Sequence, residues 1–556
     1  MRGARWRSPM TPRLLSILLL VACTRGANRL APDAAAPAEV AVARFARPAF
    51  SPPTEGTPRR GGTLRVGMES EPARLDPLLD RSAWADRVAM RSIYEGLLRP
   101  QTGGFVPDLA ERHEVTAAGR IHTFWLRRGV RWHDGRAFGP DDVVFTIERL
   151  LDPKVGAEAM RADLAGLVRA VRVGEDGVRL EFERALFSHA QALAALPILP
   201  RHVFATGPFD VHPAQRAPVG TGPFRFERWT AGQEIVLVRH DGYHDPLRAA
   251  HLDRVVFKVA RDRTLLWELL RKGEIDFLYR LTPEQQQEVH AGVSSAAGKL
   301  RALDWLGTDY VFFAWNTRKP PLDDARVRRA LTLLIDRPSI VPKVTRGFAV
   351  PISGPHWIAT DAYDRTIAPW PFDPTRGGAE LDAAGFRRRA DGQRARGDQP
   401  LRITLLVPAG SRVTEQLAIL AQADLARAGV TLELAPVEWS LFTERVRTRA
   451  FEGAAYLYNN DLEQDLWPVF HSSQAAAGLN ASGIADPELD GLLEQVRAAA
   501  PAARLPLQHR VHARLHELAP MTFWFTSAQT AAMDGRLRGV YPSVPFFPLR
   551  DVWWAR

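Results

Sequence analysis

The chain has 556 residues, more than a single hydrophobic core normally holds, so two or three domains are expected. Hydrophobic residues make up 46% and charged residues 24%, the proportions of a soluble globular protein. The formal net charge is +10, and subtracting the four N-terminal arginines Arg2, Arg5, Arg7 and Arg13 leaves +6. The other arginines are interspersed with acids, which disfavours a nucleic-acid-binding surface or an anionic membrane as partner.

The N-terminus has the pattern of an export signal. Arginines precede an apolar run at residues 14–22, which is far shorter than the roughly 20 residues needed to cross a bilayer. Cys23, the single cysteine of the chain, follows directly. Leu20-Val21-Ala22-Cys23 resembles a bacterial lipobox, which implies that residues 1–22 are cleaved and that Cys23 is lipidated. An ordinary signal peptide with a chance cysteine is the alternative.

Residues 23–60 are rich in Ala, Pro and Arg and have no helical or strand periodicity. They are predicted to be a flexible tether. The first elements of the globular part are a strand at residues 61–67 and a helix from about 83 to 98. Strand patterns return at residues 121–127 and 130–133, with Gly129 between them.

Pro140 is predicted to begin a helix, with Asp141 and Asp142 in its first turn, where their charge meets the positive end of the helix dipole. Further strands are predicted at residues 178–182, 233–240, 252–259, 310–315, 401–407 and 431–437, and further helices at about 187–199, 261–272, 327–335, 413–428 and 505–518. The helix at 413–428 between two strands forms a βαβ unit, which favours a parallel pair in an α/β lobe.

Two blocks in this region resemble a known family. Residues 126–135 read LRRGVRWHDG and residues 141–145 read DDVVF. In that order they resemble the signature of the family 5 extracellular solute-binding proteins, the peptide-binding receptors of ABC importers. A second block, residues 310–324, and the segments 218–226 (PVGTGPFRF) and 546–554 extend the resemblance. It covers roughly residues 61–554.

The resemblance implies an α/β, periplasmic-binding-protein-like fold of class II type, with two lobes, an extra subdomain and mixed sheets flanked by helices. Lobe 1 is expected to comprise residues 61–90, 215–305 and 520–556. Residues 91–214 would form the subdomain, and residues 306–519 the second lobe. Two chain crossings are expected to join the lobes and the subdomain, one near Pro218, where the chain returns to lobe 1, and one at residues 305–315.

Ligand-binding residues are also inferred from the resemblance. In peptide-binding relatives, the aspartate that binds the ligand's amine lies in an aromatic-acidic loop, and residues 456–467 (YLYNNDLEQDLW) fall at that place. The aspartate position corresponds to Asn460 or Asp461. The Asp-Pro usual after it is absent, and Gln464-Asp465 stands there instead. Expected ligand-binding residues are Asp461, Asn460, Asp465, Tyr458, Trp439, Trp315 and Asn316, with core packing as the alternative for the aromatic ones.

Motifs for catalysis are absent from the sequence. It has no Gly-x-Ser-x-Gly, no His-Glu-x-x-His, no P-loop and no cysteine pair. His509, His512 and His516 have the spacing of a helical metal site, but a solvated helix face is the preferred interpretation. His240 and His244 are interpreted as loop histidines. No enzyme activity, metal or cofactor is therefore expected.

Together these features predict a monomeric receptor outside the cytoplasmic membrane, held there by lipid through Cys23. It would bind a peptide or peptide-like solute in a cleft between the lobes and deliver it to an ABC permease. A receptor of the same fold for a nickel chelate, haem or an oligosaccharide is the nearest alternative, and a secreted hydrolase is a more distant one.

Overall fold

The computed structural model describes residues 45, 49–76, 78–101, 104–543 and 547–556. The signal peptide predicted at residues 1–22, the lipidation site Cys23 and most of the predicted tether lie outside these residues. The described part of the tether, residues 45 and 49–60, contains no helix or strand.

The strands, numbered along the chain, are β1 (Thr63–Met68), β2 (Leu98–Gln101), β3 (Gly104–Pro107), β4 (Ala110–Thr116), β5 (Ile121–Leu126), β6 (Leu167–Val173), β7 (Gly177–Phe182), β8 (Phe224–Thr230), β9 (Glu234–Arg239), β10 (Arg254–Val259), β11 (Phe277–Leu278), β12 (Ser294–Ser295), β13 (Gly298–Trp315), β14 (Ala349–Pro351), β15 (Arg387–Arg388), β16 (Arg394–Arg396), β17 (Gln399–Pro400), β18 (Arg402–Pro408), β19 (Thr431–Val437), β20 (Gly453–Asn459), β21 (Met521–Asp534), β22 (Leu537–Arg538) and β23 (Trp553–Trp554).

The α-helices are α1 (Ala83–Ala89), α2 (Pro140–Leu151), α3 (Glu158–Asp163), α4 (His189–Ala195), α5 (Arg201–Phe204), α6 (Arg263–Arg271), α7 (Pro283–His290), α8 (Ala325–Leu333), α9 (Arg337–Thr345), α10 (Pro374–Ala383), α11 (Arg412–Arg427), α12 (Trp439–Arg447), α13 (Trp467–Phe470), α14 (Pro487–Ala498) and α15 (Pro501–Leu518).

One mixed sheet runs through the described part of the chain, in the order β19-β18-β20-β13-β21-β11-β1-β10-β9-β8. We call β11-β1-β10-β9-β8 its first half and β20-β18-β19 its second half. The long strands β13 and β21 pair with each other along nearly their whole length and join the two halves. The side chains of β21 and of residues 305–315 of β13 are mostly buried on both faces, as is typical of central strands covered by helices, whereas the start of β13 is more exposed.

The pairing of β13 with β21 breaks at the junction of the two halves. Its register shifts between Leu306 and Tyr310, so the residues in between lack a regular ladder. Before the shift, β13 lies beside the first half of the sheet, and after it β13 also pairs with β20. The crossings between the halves are therefore β13 and β21. The segment near Pro218 leads into β8 in the first half of the sheet, and the expected crossing at residues 305–315 lies on β13.

Strands β4-β5-β7-β6 form a separate four-stranded antiparallel sheet, and α2 packs against it. Residues 126–145, which we call the signature segment, lead from the end of β5 into α2. A second strand was predicted at residues 130–133, but the chain turns there and makes only a single bridge between Arg131 and Ala137. Asp142 explains the turn, because its carboxylate accepts hydrogen bonds from the Trp132 indole at 3.3 Å and the Gly139 N–H at 3.0 Å. A helix begins at Pro140, as predicted.

The other predicted elements are present with the helix or strand type that the sequence predicts, although most of their bounds differ. The βαβ unit is present as β18, α11 and β19, and its two strands pair in parallel. The helix predicted at residues 83–98 ends at Ala89, however. Tyr94 and Arg91 then form a tight turn, in which the Arg91 N–H donates to the Tyr94 carbonyl at 2.7 Å. Arg91 has a positive φ of 62°, which the apolar pattern of the sequence does not indicate.

Candidate ligand-binding cavity

A cavity of about 570 Å³ lies between residues of the segment 81–195 and the loop that follows β20. We call residues 460–467 of this loop the acidic loop. On the opposite side the cavity is lined by the helices α1, α3 and α4 and their neighbours. A volume of roughly 300–1,000 Å³ is typical of small-molecule sites, so this space can enclose a short peptide or a comparable solute.

Asp461 in the acidic loop lines this cavity, as the sequence predicts for a ligand-binding residue. Removal of water by the surrounding protein and the negative charge of Asp163 raise the pKa of Asp461. Arg81 and a hydrogen bond from Gln191 act in the opposite direction. A carboxylate with few compensating partners is suited to bind a ligand's ammonium group, because the ion pair would restore the interactions lost with water.

Gln191 on α4 connects the two walls of the cavity. Its Oε1 accepts a hydrogen bond of 2.7 Å from the Glu463 backbone N–H in the acidic loop. Nearby, the Arg504 guanidinium lies 4.4 Å from the centre of the Phe187 ring, a second contact between the walls. Desolvation raises the pKa of Glu463, and Arg504 opposes that shift.

Asp465 also lines the cavity, but its charge has a partner in the protein. It forms an ion pair of 2.6 Å with Arg497, and it accepts the Trp467 N–H at 3.0 Å. The Arg497 guanidinium in turn lies 4.0 Å from the centre of the Trp467 ring. This arrangement holds the acidic loop in shape and leaves Asp465 less available than Asp461 to a ligand.

Tyr458 and Asn460 lie next to Asp461 along the chain. Tyr458 lines the cavity, and its hydroxyl is 3.3 Å from that of Tyr456. Asn460 is only 4% exposed, and neither its amide nitrogen nor its amide oxygen has a hydrogen-bond partner within the described part of the chain. Its backbone N–H donates to Thr308, next to the register shift of β13.

The structure places the remaining three predicted residues away from this cavity. Trp315 is fully buried under the helices of the second half, and its indole donates to the Thr522 hydroxyl at 3.0 Å. The Asn316 amide is buried and donates to the backbone carbonyls of Arg449 and Phe451. Trp439 is 58% exposed and stacks on Phe442 at the start of α12. Core packing explains the first two.

Sequence reasoning missed the charged and polar side chains on the opposite wall, among them Asp86, Arg91 and Gln191. Desolvation raises the pKa of Asp86 to about 6. No sequence signal identified them, because Asp86 and Gln191 look like ordinary helical polar residues and Arg91 was assigned to a helix. Only the tertiary arrangement of α1 and α4 opposite the acidic loop brings them to the cavity.

His509, His512 and His516, whose spacing would suit a metal site on a helix, do not form a solvated helix face as predicted. His512 on α15 is completely buried, with Ser353 Oγ at 3.0 Å and the Asp364 N–H at 3.2 Å from its ring nitrogens. Within the described ranges, no three His, Cys, Asp or Glu side chains are grouped as metal ligands.

Comparison with known proteins agrees with this architecture. Residues 104–477 match the family described as bacterial extracellular solute-binding proteins, family 5 middle. This match covers more than half of the chain. The protein belongs to this family.

Two relatives and one solved structure illustrate the relationship. The oligopeptide-binding protein AppA of Bacillus subtilis is 26% identical over 520 residues, covering 90% of this chain and 92% of AppA. The structure of that protein in complex with a nonapeptide superposes with a TM-score of 0.71 at 25% identity, over 90% of this chain and all of AppA. Heme-binding protein A of Haemophilus influenzae is 24% identical over 522 residues, covering 89% and 92% of the two chains.

This family member has a mixed α/β fold with sheets flanked by helices, as its structural neighbours do. Among the residues that the structure describes, no helix combines the length and the apolar character needed to span a membrane.

Proposed function

We propose that this protein is a receptor that captures a peptide or peptide-like solute outside the cytoplasmic membrane and delivers it to an ABC permease. The observation that carries the proposal is the 570 Å³ cavity with Asp461 exposed on its wall. AppA, a relative that spans nearly the same length, binds a nonapeptide. Family membership favours binding over catalysis.

In this proposal the ammonium group of the solute pairs with Asp461. Desolvation raises the pKa of Asp461, and an ion pair with a bound cation would offset that cost, so the ionised carboxylate favours an occupied cavity. Polar groups of the cavity and trapped water would satisfy the peptide backbone, while water in the remaining space would allow side chains of different sizes. The register shift of β13 and β21 would serve as the hinge on which the two halves close.

The surroundings of the receptor are part of the same proposal. Residues 1–22 would be removed on export, and Cys23 would carry lipid at the periplasmic or cell-surface side of the membrane. Residues 61–90, 215–305 and 520–556 would form lobe 1, residues 91–214 the subdomain and residues 306–519 the second lobe. The protein would act as a monomer and require no cofactor.

Titration of a tripeptide library into the unliganded protein tests the proposal. Asp461→Asn removes one charge-assisted interaction, so we expect affinity for the peptides that bind to fall roughly 10- to 100-fold. Asp398→Asn is the matched control, because Asp398 is exposed and its ion pair with Arg389 is a surface contact. Equal affinities for the parent and both variants would reject Asp461 as the ammonium partner.

A receptor for haem or another non-peptide solute is the second candidate, because Heme-binding protein A is also a relative. Native mass spectrometry of the protein as purified would distinguish the two. A co-purifying mixture of short peptides favours the first proposal, and a porphyrin, metal chelate or sugar of a single mass favours the second.

A further inference from the structure

A second, smaller cavity adjoins the ligand cavity and is lined by five arginines. Met90, Arg91 and Pro100 line both cavities, so the two spaces meet at these residues. The smaller one has a volume of about 40 Å³, against the roughly 10–15 Å³ that one buried water needs. Its arginines are Arg87, Arg91, Arg99, Arg248 and Arg550, and no carboxylate is among its lining residues.

Neighbouring carboxylates neutralise only part of this charge. Asp108 pairs with Arg248 and, at 3.8 Å, with Arg99, while Asp551 pairs with Arg550 at 3.2 Å. Within the described residues, Arg87 and Arg91 have no ion pair within 4 Å. Asp245 also lies 4.0 Å from Arg248, so five guanidinium groups face three carboxylates.

Several nitrogens of the cluster also lack hydrogen-bond acceptors. The Nε atoms of Arg87, Arg99 and Arg248 are buried and have no acceptor in the described part of the chain. The Arg87 guanidinium lies 4.0 Å from the centre of the Tyr279 ring instead. Buried donors without acceptors are costly, and arginine is the side chain best suited to bind oxyanions through paired N–H groups.

Arg91 is the arginine that connects the two cavities. Burial lowers its pKa to about 10, and Arg550, Arg248 and Arg99 contribute to that shift by repulsion, against the attraction of Asp108. Its backbone has a left-handed φ of 62°, held by the hydrogen bond from its N–H to the Tyr94 carbonyl. The fold thus holds a desolvated cation, with no carboxylate of its own, at one end of the ligand cavity.

We infer that the arginine cavity is an anion subsite of the ligand cavity, and that it takes a carboxylate or phosphate-type oxyanion of the bound solute. This inference rests on the proposed receptor function and narrows its solute class. The solute would carry an ammonium group for the acidic loop and an oxyanion for Arg91. A free inorganic anion has the same chemistry, and the experiment separates the two sources.

Calorimetric titration of matched peptides tests the subsite. Each pair differs by one charge, either Glu against Gln or a free C-terminus against its amide. In the parent we expect the anionic member of at least one pair to bind roughly 10- to 100-fold more tightly. Arg91→Gln should reduce that preference to less than about threefold while leaving the affinity of the neutral member unchanged. Arg99→Gln should reduce it as well.

Arg261→Gln is the matched control, because Arg261 is exposed and lines neither cavity. It should keep the full preference of the parent. Arg91→Gln should unfold at the same temperature as the unliganded parent or higher, since it removes a buried charge without an ion pair. A large loss of stability would show that Arg91 has a structural role and would overturn the inference.

Two results separate failure of the subsite from failure of the receptor proposal. If neutral and anionic peptides bind the parent equally well, the anion subsite is rejected while peptide binding stands. If no peptide binds, the melting temperatures of the parent and of Arg91→Gln are measured with and without inorganic sulfate and phosphate. A rise in melting temperature of the parent that is lost in Arg91→Gln supports an anion site that takes free anions, and equal responses of the two proteins reject it.

Discussion

Asp76 lies in the loop between β1 and α1. Its side chain is completely buried, and Oδ1 accepts a hydrogen bond of 2.9 Å from the Leu78 N–H while Oδ2 has no partner within the described residues. Desolvation raises its pKa to about 7, and the hydrogen bond from Leu78 and the charge of Arg74 oppose the shift. The folded protein therefore holds a proton that the unfolded chain releases near pH 4.

The raised pKa of Asp76 predicts a pH-dependent loss of stability. Because the folded state binds more protons than the unfolded state between about pH 4 and pH 7, the free energy of unfolding falls as pH rises through that window. Asp76→Asn keeps the acceptor for Leu78 and removes the charge. We expect the variant to gain up to about 4 kcal/mol over the parent at pH 8 and little at pH 4.5.

Urea unfolding of both proteins at the two pH values measures this difference. Asp391→Asn, at an exposed site, is the control for a lost surface charge and should shift the free energy of unfolding by less than about 0.5 kcal/mol at either pH. A stability difference between Asp76→Asn and the parent that stays constant with pH would mean that Asp76 is not protonated in the folded state.

At the scale of elements, the signature segment contacts the segment PVGTGPFRF, which comes much later in the chain. His133 makes this link, because its Nδ1 accepts from the Gly220 N–H at 3.2 Å and its Nε2 donates to the Gly222 carbonyl at 3.0 Å. These two bonds fix a neutral imidazole, and burial lowers the pKa of His133 to about 3. The sequence contained both motifs, but it could not indicate that they contact each other.

Gly220 lies so close to the backbone of Ile93 that a residue with a side chain cannot fit there unless atoms shift. A Cβ at this position would lie 1.9 Å from the Ile93 carbonyl oxygen. We expect Gly220→Ala to lower the free energy of unfolding by about 2–4 kcal/mol, because backbone atoms must move apart. Gly156→Ala is the control, since a Cβ there meets nothing within 4 Å and the φ of Gly156 lies outside the left-handed region. Similar melting temperatures of the two variants would contradict this account of the segment.

At the scale of the whole molecule, local patterns predicted the elements better than their arrangement. The βαβ unit could be predicted because its alternation and its turn residues lie close together in the sequence. The joining of the sheet halves by β13 and β21 could not be predicted from local patterns, because β21 returns from the far end of the chain, and the crossing at residues 305–315 was placed by family resemblance. For the same reason the acidic loop was placed at the cavity by family resemblance, whereas Asp86, Arg91 and Gln191 on the facing wall were missed.

Closure of the cavity should depend on the contact between Gln191 and the acidic loop. This hydrogen bond joins two walls that have to separate when a solute enters or leaves. A neutral hydrogen bond contributes about 1 kcal/mol, which corresponds to roughly a fivefold change in the ratio of closed to open molecules. We therefore expect unliganded Gln191→Ala to have a larger radius of gyration than the parent in small-angle X-ray scattering.

Gln422→Ala is the matched control, because the Gln422 amide donates to the Leu432 carbonyl at 2.7 Å within the second half of the sheet. It should scatter as the parent does. A saturating solute should return Gln191→Ala to the parent's compact profile, since binding favours the closed form by its differential affinity. Identical profiles of Gln191→Ala and the parent without solute would mean that other contacts between the walls, such as that of Arg504 with Phe187, suffice to hold the cavity closed.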